Sequence, residues 1–264
     1  MSDSALARAW AALRADGRTA LIPYLTAGYP TPETSVAALR AAAEVSDIIE
    51  VGVPFSDPLA DGPTIQRSTF EALQHGMTLP RTLELIATAD LRRPIVVFSY
   101  LNPILRYGVD RFLRDASEVG VAGLLLTDLP AGSDAAVEST VAQSPLDLIR
   151  LIAPTTRPER LTEAVQGAGG FIYLVARLGV TGASTALAPD LPGSVARVRG
   201  ATPLPIAVGF GISTPDQARS VARLADGVVV GSALVDALGE GGVRRAASFL
   251  RGLREAVDEV EVVR

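Results

Sequence analysis

Short apolar runs recur along the chain, and between them lie stretches whose apolar residues return every three or four positions. The runs are continuous rather than alternating, which is typical of parallel strands covered on both faces. The predicted strands are 20–25, 47–53, 94–100, 121–127, 146–152, 171–175, 204–208 and 227–231. The predicted helices are 33–45, 64–74, 80–90, 109–118, 133–142, 158–167, 190–199 and 215–224. Eight strand-then-helix units in 264 residues indicate an α/β fold, the (β/α)8 TIM barrel.

Two further helices are predicted outside this alternation. Residues 2–15 place Leu6 and Trp10 at helical spacing, which predicts an extra N-terminal helix that covers one end of the barrel, with Trp10 in its core. Residues 244–258 are predicted to form the final barrel helix, because their arginines are interleaved with Glu and Asp. No Pro/Ser-rich linker interrupts the chain, so we expect one barrel domain over residues 1–264.

Two connections are long enough to carry function, which barrels commonly keep in the loops that follow their strands. The loop at 54–63 follows the second strand, where the gap to the next strand is largest. The glycine-containing strip at 178–182 follows the sixth strand. It could fold over a ligand and exclude water, or it could be only a connector.

The amino-acid composition excludes several kinds of catalytic and metal site. The chain is 48% hydrophobic but only 5% aromatic, so we expect a core of Ala, Val, Leu and Ile. It has no cysteine, which excludes disulfides, thiolate zinc sites and a cysteine nucleophile. Its one histidine, His75, precedes Gly76 at a predicted helix end, where a capping or surface role is the simplest interpretation.

Charge and hydropathy bear on partners and location. The formal net charge is −5 and there is no basic stripe, which argues against a nucleic-acid partner. No apolar run reaches the roughly 20 residues of a membrane-spanning helix, so no membrane partner is expected. Residues 1–20 lack the pattern of a signal peptide, and a cytoplasmic location is therefore predicted.

Carboxyl groups cluster at the second strand. Glu50 closes an apolar run, and Asp57 and Asp61 follow in a Gly/Pro-rich loop. Parallel barrels place active sites at the carboxyl ends of their strands, which favours a catalytic role for these groups. The two aspartates could instead be turn residues beside Pro58 and Gly62. Glu50 is harder to explain in that way, because burying an unpaired carboxylate is costly.

The last two units favour phosphate binding. Residues 208–214 carry Gly209 and Gly211 after the seventh strand, and Gly231 and Ser232 join the eighth strand to a helix. Barrels commonly bind phosphate between these two loops. Glycines let backbone N–H groups approach an anion, and a helix N-terminus favours negative charge. The alternative is that these glycines only make tight turns.

Four stretches together resemble the tryptophan synthase alpha subunit family: 50–66, 171–183, 205–213 and 228–235. The similarity begins at 23–30 and continues in unbroken order to the last strand. It implies a (β/α)8 barrel that cleaves indole-3-glycerol phosphate to indole and glyceraldehyde 3-phosphate. It also implies an α2β2 heterotetramer, in which indole passes to a beta subunit that holds pyridoxal phosphate. No cofactor or metal is then expected in this chain.

The resemblance also implies roles for matched residues. Glu50 corresponds to the catalytic acid/base, Asp61 to the second carboxylate, which contacts the indole N–H, and Tyr173 to the tyrosine beside them. Asp57 and its loop correspond to the region that signals to the beta subunit. The matched phosphate site comprises Gly182, Phe210, Gly211, Gly231 and Ser232. The matched indole pocket and lid comprise Tyr24, Tyr100 and Thr181.

Two positions depart from the family pattern. Ala176 stands where many relatives have Ser, which bears on hydrogen bonding near the lid hinge. Tyr24 stands where relatives often have Phe, so a slightly more polar indole pocket is expected.

The chemistry predicts different environments for the two carboxyl groups. Carbon–carbon cleavage requires protonation of indole carbon 3 and removal of a hydroxyl proton, and one carboxyl group with a raised pKa can do both. Glu50 is expected to be that group. Asp61, on a wetter loop, is expected to stay ionised and stabilise positive charge at the ring nitrogen.

Three alternatives stay open at this point. The chain could be a free-standing indole-3-glycerol phosphate lyase, another phosphate-binding barrel lyase or isomerase, or a barrel that only regulates a partner. The first shares all the site residues, the second would share only the phosphate glycines, and the third would not need Glu50 or Asp61.

Overall fold

The computed structural model of the protein describes residues 4–176, 190–209 and 211–260. Its strands are β1 (Ala20–Thr26), β2 (Ile49–Gly52), β3 (Ile95–Ser99), β4 (Val121–Leu126), β5 (Asp147–Ile152), β6 (Ile172–Val175), β7 (Ile206–Gly209) and β8 (Gly227–Val230). All pairs are parallel and follow chain order, and β8 pairs with β1, so the described strands form a closed barrel. The predicted (β/α)8 barrel is confirmed, with strand ends shifted by at most two residues.

The helices surround this barrel. They are α1 (Ala5–Ala15), α2 (Pro32–Ala43), α3 (Pro63–Gln74), α4 (Leu79–Ala89), α5 (Leu101–Tyr107), α6 (Val109–Glu118), α7 (Ala135–Ala142), α8 (Pro158–Ala164), α9 (Leu191–Ala201), α10 (Pro215–Ala222) and α11 (Ser232–Asp258). Every residue of β1, β2, β3 and β4 is buried. This burial explains the continuous apolar runs, because the barrel core covers one strand face and the helices cover the other.

Two helices differ from the prediction. α5 was not expected, because it has only seven residues and contains Pro103, which is tolerated there only because it lies in the first turn. α11 includes the predicted segment 244–258 but begins at Ser232. Gly242 has non-helical dihedrals (φ 65°, ψ −166°) and divides α11 into two parts, the second of which is the predicted helix.

Helix α1 covers the end of the barrel at which the strands begin. Its N-cap residue Ser4 accepts a hydrogen bond from the Ala7 N–H and donates one to the carboxylate of Asp147, the first residue of β5. Trp10 is buried, with its ring centroid 5.7 Å from that of Phe171. The predicted terminal cover and the core position of Trp10 are confirmed.

A buried ion pair ties the last helix to the same end. Arg254 of α11 donates to the carboxylate of Asp47 (2.9 Å) and to the carbonyl oxygen of Thr19 (3.1 Å). Asp47 also accepts the backbone N–H of Leu21 (2.9 Å). The candidate site lies at the opposite end of the barrel, where the strands finish. None of the described helices is long and apolar enough to cross a membrane.

Candidate active site

Glu50 lies inside the barrel near the carboxyl end of β2, opposite Tyr24 of β1 and Val96 of β3 in the strand register. Its side chain is 1% exposed, and its Oε1 has no hydrogen-bond partner among the described residues. Burial raises the pKa of this carboxyl to about 8. The predicted shift toward neutrality is confirmed in direction, and Glu50 is largely protonated at neutral pH.

Asp61 is also buried, which contradicts the expected wetter environment. Its side chain is 7% exposed although Ala60 before it is exposed. Burial raises the pKa of Asp61 to about 6, and a hydrogen bond from the Tyr100 hydroxyl opposes that rise. Because this pKa lies below 7, Asp61 is still mostly ionised at neutral pH. The pKa of Asp61 is therefore lower than that of Glu50, as expected, although Asp61 is buried rather than exposed to water.

The loop after β2 is folded inward by its neighbours. The Ala60 N–H donates to the hydroxyl of Tyr100, which follows β3 (2.8 Å). Gln66 of α3 donates to the carbonyl oxygen of Asp61 (2.8 Å). Asp57, by contrast, is exposed, and its carboxylate accepts the hydroxyl of Ser56 (2.5 Å). Both aspartates take part in turns, since the Leu59 N–H donates to the Asp57 carbonyl oxygen (2.9 Å) and the Asp61 N–H donates to that of Pro58 (3.1 Å). The turn interpretation is therefore correct for both backbones, but the Asp61 side chain is buried in the site.

Two tyrosines fill the barrel beside Glu50. The Tyr24 hydroxyl lies against the backbone of Gly52, and the Tyr173 hydroxyl lies against that of Gly209, so that a Cβ at either glycine would overlap a phenol. Burial raises the pKa of Tyr173 first, and the charge of Glu50 raises it further. Burial likewise raises the pKa of Tyr24, followed by the charge of Asp61. The two phenols and the two carboxyl groups therefore share one interior.

Tyr24 adds a hydroxyl to the wall of this interior, and a more polar indole pocket stays a prediction. The Tyr24 hydroxyl is 3.5 Å from that of Thr26, and the Thr26 hydroxyl is 2.7 Å from that of Ser68 on α3. Ser68 in turn donates to the carbonyl oxygen of Ile65 (2.9 Å). A chain of hydroxyls thus connects β1 with the helix that follows Asp61. The aromatic side of the wall is Phe98, whose ring centroid is 5.3 Å from that of Tyr24.

The candidate phosphate glycines have different structural roles. Gly211 has a φ of +88°, which favours glycine and turns the chain after β7. Gly209 is buried against Tyr173, so its lack of a side chain makes room for the phenol. Gly231 is the N-cap of α11, and Ser232 is its first, exposed residue. The first N–H groups of a helix have no intrahelical partner, and here they open at the carboxyl end of the barrel.

Some predicted site residues lie outside the described part of the chain. These are Thr181, Gly182 and Phe210. Ala176, at the other family departure, is fully buried, and its N–H donates to the Gly209 carbonyl oxygen (2.6 Å). Within the described ranges, no three His, Cys, Asp or Glu side chains are grouped closely enough to hold a metal ion. His75 ends α3, as predicted, and its N–H donates to the Ala72 carbonyl oxygen.

Sequence reasoning named Tyr100, which holds the loop after β2, but missed the contacts of α3 that hold it as well. Gln66 lies within the stretch that carried the resemblance, but its hydrogen bonds to the carbonyl oxygens of Asp61 and Pro58 depend on how α3 begins. Thr64 and Arg67 of α3 both donate to Asp236 of α11. These partners are separated by about 170 residues, so no local pattern in the sequence could reveal them.

Comparisons with known proteins agree with one another. The family model "Tryptophan synthase alpha chain" matches residues 10–262. The tryptophan synthase alpha chain of Gluconacetobacter diazotrophicus is 47% identical over 96% of this chain and 98% of the relative.

Solved structures agree as well. A structure of Mycobacterium tuberculosis tryptophan synthase superimposes with a TM-score of 0.89 at 42% identity, covering 97% of this chain and 99% of that one. The alpha subunit from Legionella pneumophila gives a TM-score of 0.90 at 33% identity, over 98% and 100% of the two chains. The match spans the whole barrel, including both carboxyl groups and the two glycine turns, and the chain belongs to the tryptophan synthase alpha chain family.

Proposed function

We propose that this chain cleaves indole-3-glycerol phosphate to indole and glyceraldehyde 3-phosphate, with Glu50 as the acid/base. The observation that carries the proposal is the Glu50 carboxyl: it is buried, it has a pKa near 8, and its Oε1 lacks a partner among the described residues. An unpartnered buried carboxyl is costly for the fold, so its retention points to a role in chemistry.

The proposed reaction is a retro-aldol cleavage with a balanced transfer of protons. Protonated Glu50 gives its proton to indole carbon 3, which produces an indolenine cation. The carbon–carbon bond then breaks, and its electron pair restores the aromatic ring. The side-chain hydroxyl becomes the aldehyde and returns a proton to Glu50. A pKa near 8 suits a group that must donate and accept a proton at neutral pH.

Asp61 is proposed to accept a hydrogen bond from the indole N–H. Positive charge develops on the ring nitrogen when carbon 3 is protonated, and an ionised carboxylate stabilises that charge most in the transition state. Its pKa of about 6 leaves Asp61 mostly ionised at neutral pH. Tyr100 supports this role, because its hydroxyl donates to Asp61 and thereby favours the charged form.

The rest of the site is proposed to bind the substrate. The backbone N–H groups at Gly211, Gly231 and Ser232 are proposed to hold the phosphate, together with Gly182 and Phe210. Tyr173 packs beside Glu50, and Tyr24 and Tyr100 line the indole pocket. Thr181 is proposed to meet Asp61 when the lid closes.

We further propose that the chain works with a beta subunit in an α2β2 heterotetramer and passes indole to it. Family membership supports a beta partner, and the pyridoxal phosphate would belong to that partner. The exposed loop around Asp57 and Leu59, whose side chain is 89% exposed, is the proposed contact region. The cytoplasmic location predicted from the sequence stays a prediction.

Release of indole from indole-3-glycerol phosphate tests the proposal. The purified chain is assayed alone and with a matching beta subunit. Weak release alone and strong release with the partner is the expected result. Strong release that the beta subunit does not change would favour a free-standing lyase. Absence of indole under both conditions would overturn the proposed reaction.

A further inference from the structure

Two helices begin at the candidate site, and one carboxylate connects them. α3 begins at Pro63, directly after the loop that carries Asp61, and α11 begins at Ser232, beside the proposed phosphate site. Asp236 lies one turn into α11, with its side chain 40% exposed. It faces the first turns of α3, and nothing in the proposed reaction uses it.

Asp236 uses both carboxylate oxygens on α3. Its Oδ2 accepts a hydrogen bond from the Thr64 hydroxyl (3.2 Å), and its Oδ1 accepts one from the Arg67 guanidinium (2.6 Å). Two donors on successive turns of one helix fix the direction of the carboxylate as well as its distance. The contact is therefore more specific than a lone ion pair between exposed side chains, which contributes little.

The first turns of α3 hold the Asp61 loop from the other side. Gln66 lies between Thr64 and Arg67 in the sequence and donates to the carbonyl oxygen of Asp61 (2.8 Å). A displacement of this part of α3 would therefore move the Asp61 backbone. It would also move Asp61 relative to Glu50, because Glu50 is fixed in β2 by pairing on both sides.

A second contact brings the same helices together. Tyr29, from the loop after β1, has its hydroxyl against Gly239 of α11, where any Cβ would overlap it. The Arg67 guanidinium lies beside the same hydroxyl. The first part of α11, the start of α3 and the loop after β1 therefore pack as one unit.

We propose that Asp236 is a positioning residue that couples an anion at the start of α11 to the placement of Asp61. A phosphate group held by the first N–H groups of α11 would restrain that turn. The carboxylate of Asp236 transmits the restraint to Thr64 and hence to the Asp61 loop. The nature of the reaction rests on the proposed function, but the mechanical link rests on these contacts alone.

Steady-state kinetics of the chain, assayed together with its beta subunit, test the coupling through Asp236. Asp236→Ala should lower kcat for indole release about tenfold while KM changes less than about twofold. The backbone N–H groups proposed to bind phosphate are unchanged in this variant, whereas Asp61 loses its alignment. The double variant Asp236→Ala/Thr64→Val should be no slower than Asp236→Ala. Glu240→Ala is the matched control, since it removes an exposed ion pair with Arg245 within α11 and should leave both constants unchanged.

Amide hydrogen exchange with inorganic phosphate tests the link without catalysis. In the wild-type chain, phosphate should slow exchange both at 232–235 and at 57–64. In Asp236→Ala it should slow exchange only at 232–235, with phosphate affinity kept within about twofold.

The outcomes separate the two proposals. An unchanged kcat in Asp236→Ala would overturn the coupling. So would either of two exchange results: phosphate does not protect 57–64 in the wild type, or it still protects 57–64 in Asp236→Ala. A wild type that releases no indole would overturn the reaction, and the exchange experiment would still decide the coupling.

Discussion

At the scale of single residues, burial decides the chemistry of the site. Glu50 and Asp61 are the same kind of acid eleven positions apart, yet their pKa values are about 8 and about 6. Burial raises both pKa values, and it raises that of Asp61 less far because Asp61 is slightly less buried than Glu50 and accepts a hydrogen bond from the Tyr100 hydroxyl. Two carboxyl groups in different environments can then take two roles at one pH.

Replacing Glu50 by Gln removes the proton that the reaction moves. We expect Glu50→Gln to lower kcat for indole release by a factor on the order of 10³ or more, because the amide can neither donate nor accept that proton as an acid/base. Substrate binding should change little, since the amide is nearly isosteric. Single-turnover assays and binding of a phosphate-containing substrate analogue measure the two effects. Activity close to that of the wild type would refute the assignment.

The two pKa values predict the pH profile of kcat/KM for the free enzyme. Activity should rise as Asp61 ionises near pH 6 and fall as Glu50 loses its proton near pH 8. Asp61→Asn should lose most activity, and its residual activity should lack the acidic limb while it keeps the alkaline one. Initial rates from roughly pH 5 to 9 measure both limbs. A profile for Asp61→Asn with both limbs intact would contradict the role of Asp61.

Burial of Glu50 also predicts how stability depends on pH. Its pKa rises from an ordinary 4.5 to about 8 on folding, so between these values the folded state binds more protons than the unfolded state. The free energy of unfolding therefore falls as pH rises through this window. Glu50→Gln lacks this effect, so its stability relative to the wild type should increase by a few kcal/mol from about pH 4.5 to 8. Urea unfolding at several pH values measures it, and a constant difference would contradict it.

At the scale of elements, a glycine on one strand leaves room for a tyrosine side chain from the neighbouring strand. Gly52 at the end of β2 accommodates the Tyr24 hydroxyl from β1, and Gly209 at the end of β7 accommodates that of Tyr173 from β6. The loop after β2 is held by Tyr100 after β3 and by Gln66 in α3. The site thus depends on pairs of neighbouring elements.

Gly52→Ala tests this packing. The added Cβ would overlap the Tyr24 phenol, so we expect a loss of about 1–3 kcal/mol in stability and a lower kcat/KM as Tyr24 moves. Gly200→Ala in α9 is the matched control, because its Cβ meets nothing within 4 Å and alanine favours helix by up to about 1 kcal/mol. Thermal unfolding measures the stability of each variant, and steady-state kinetics measure its kcat/KM. Equal effects of the two substitutions would contradict the packing argument.

At the scale of the whole molecule, the two ends of the barrel have separate tasks. The end where strands begin is covered by α1 and tied to α11 by Arg254 and Asp47. The end where strands finish carries Glu50, Asp61 and the glycine turns. Stability and chemistry can therefore be altered independently, as is usual for this fold.

Arg254→Met tests that separation. It leaves the Asp47 carboxylate buried with less compensation, so we expect a loss of about 3 kcal/mol in stability. The kcat of the folded protein should stay within about twofold, because the change lies at the opposite end from Glu50. Arg160→Ala, in an exposed pair with Glu163, is the control and should cost less than about 0.5 kcal/mol. Denaturant unfolding and kinetics below the transition separate the two readouts.

The sequence by itself determined the order of strands and helices, the barrel and the position of Glu50. Continuous apolar runs report burial on both faces, and Glu50 lies within such a run, so its environment is encoded locally. The short helix α5 was missed, because seven residues with an internal proline carry too weak a helical pattern.

Only the tertiary structure decided the environment of Asp61 and the link through Asp236. Asp61 lies in a loop rich in polar and turn-forming residues, which suggests exposure, but Tyr100 from the next unit and Gln66 from α3 fold it inward. Asp236 meets Thr64 because closing the barrel brings its last unit beside its first two. Burial and hydrogen bonding of this kind depend on distances between residues far apart in the chain, and local patterns carry no information about those distances.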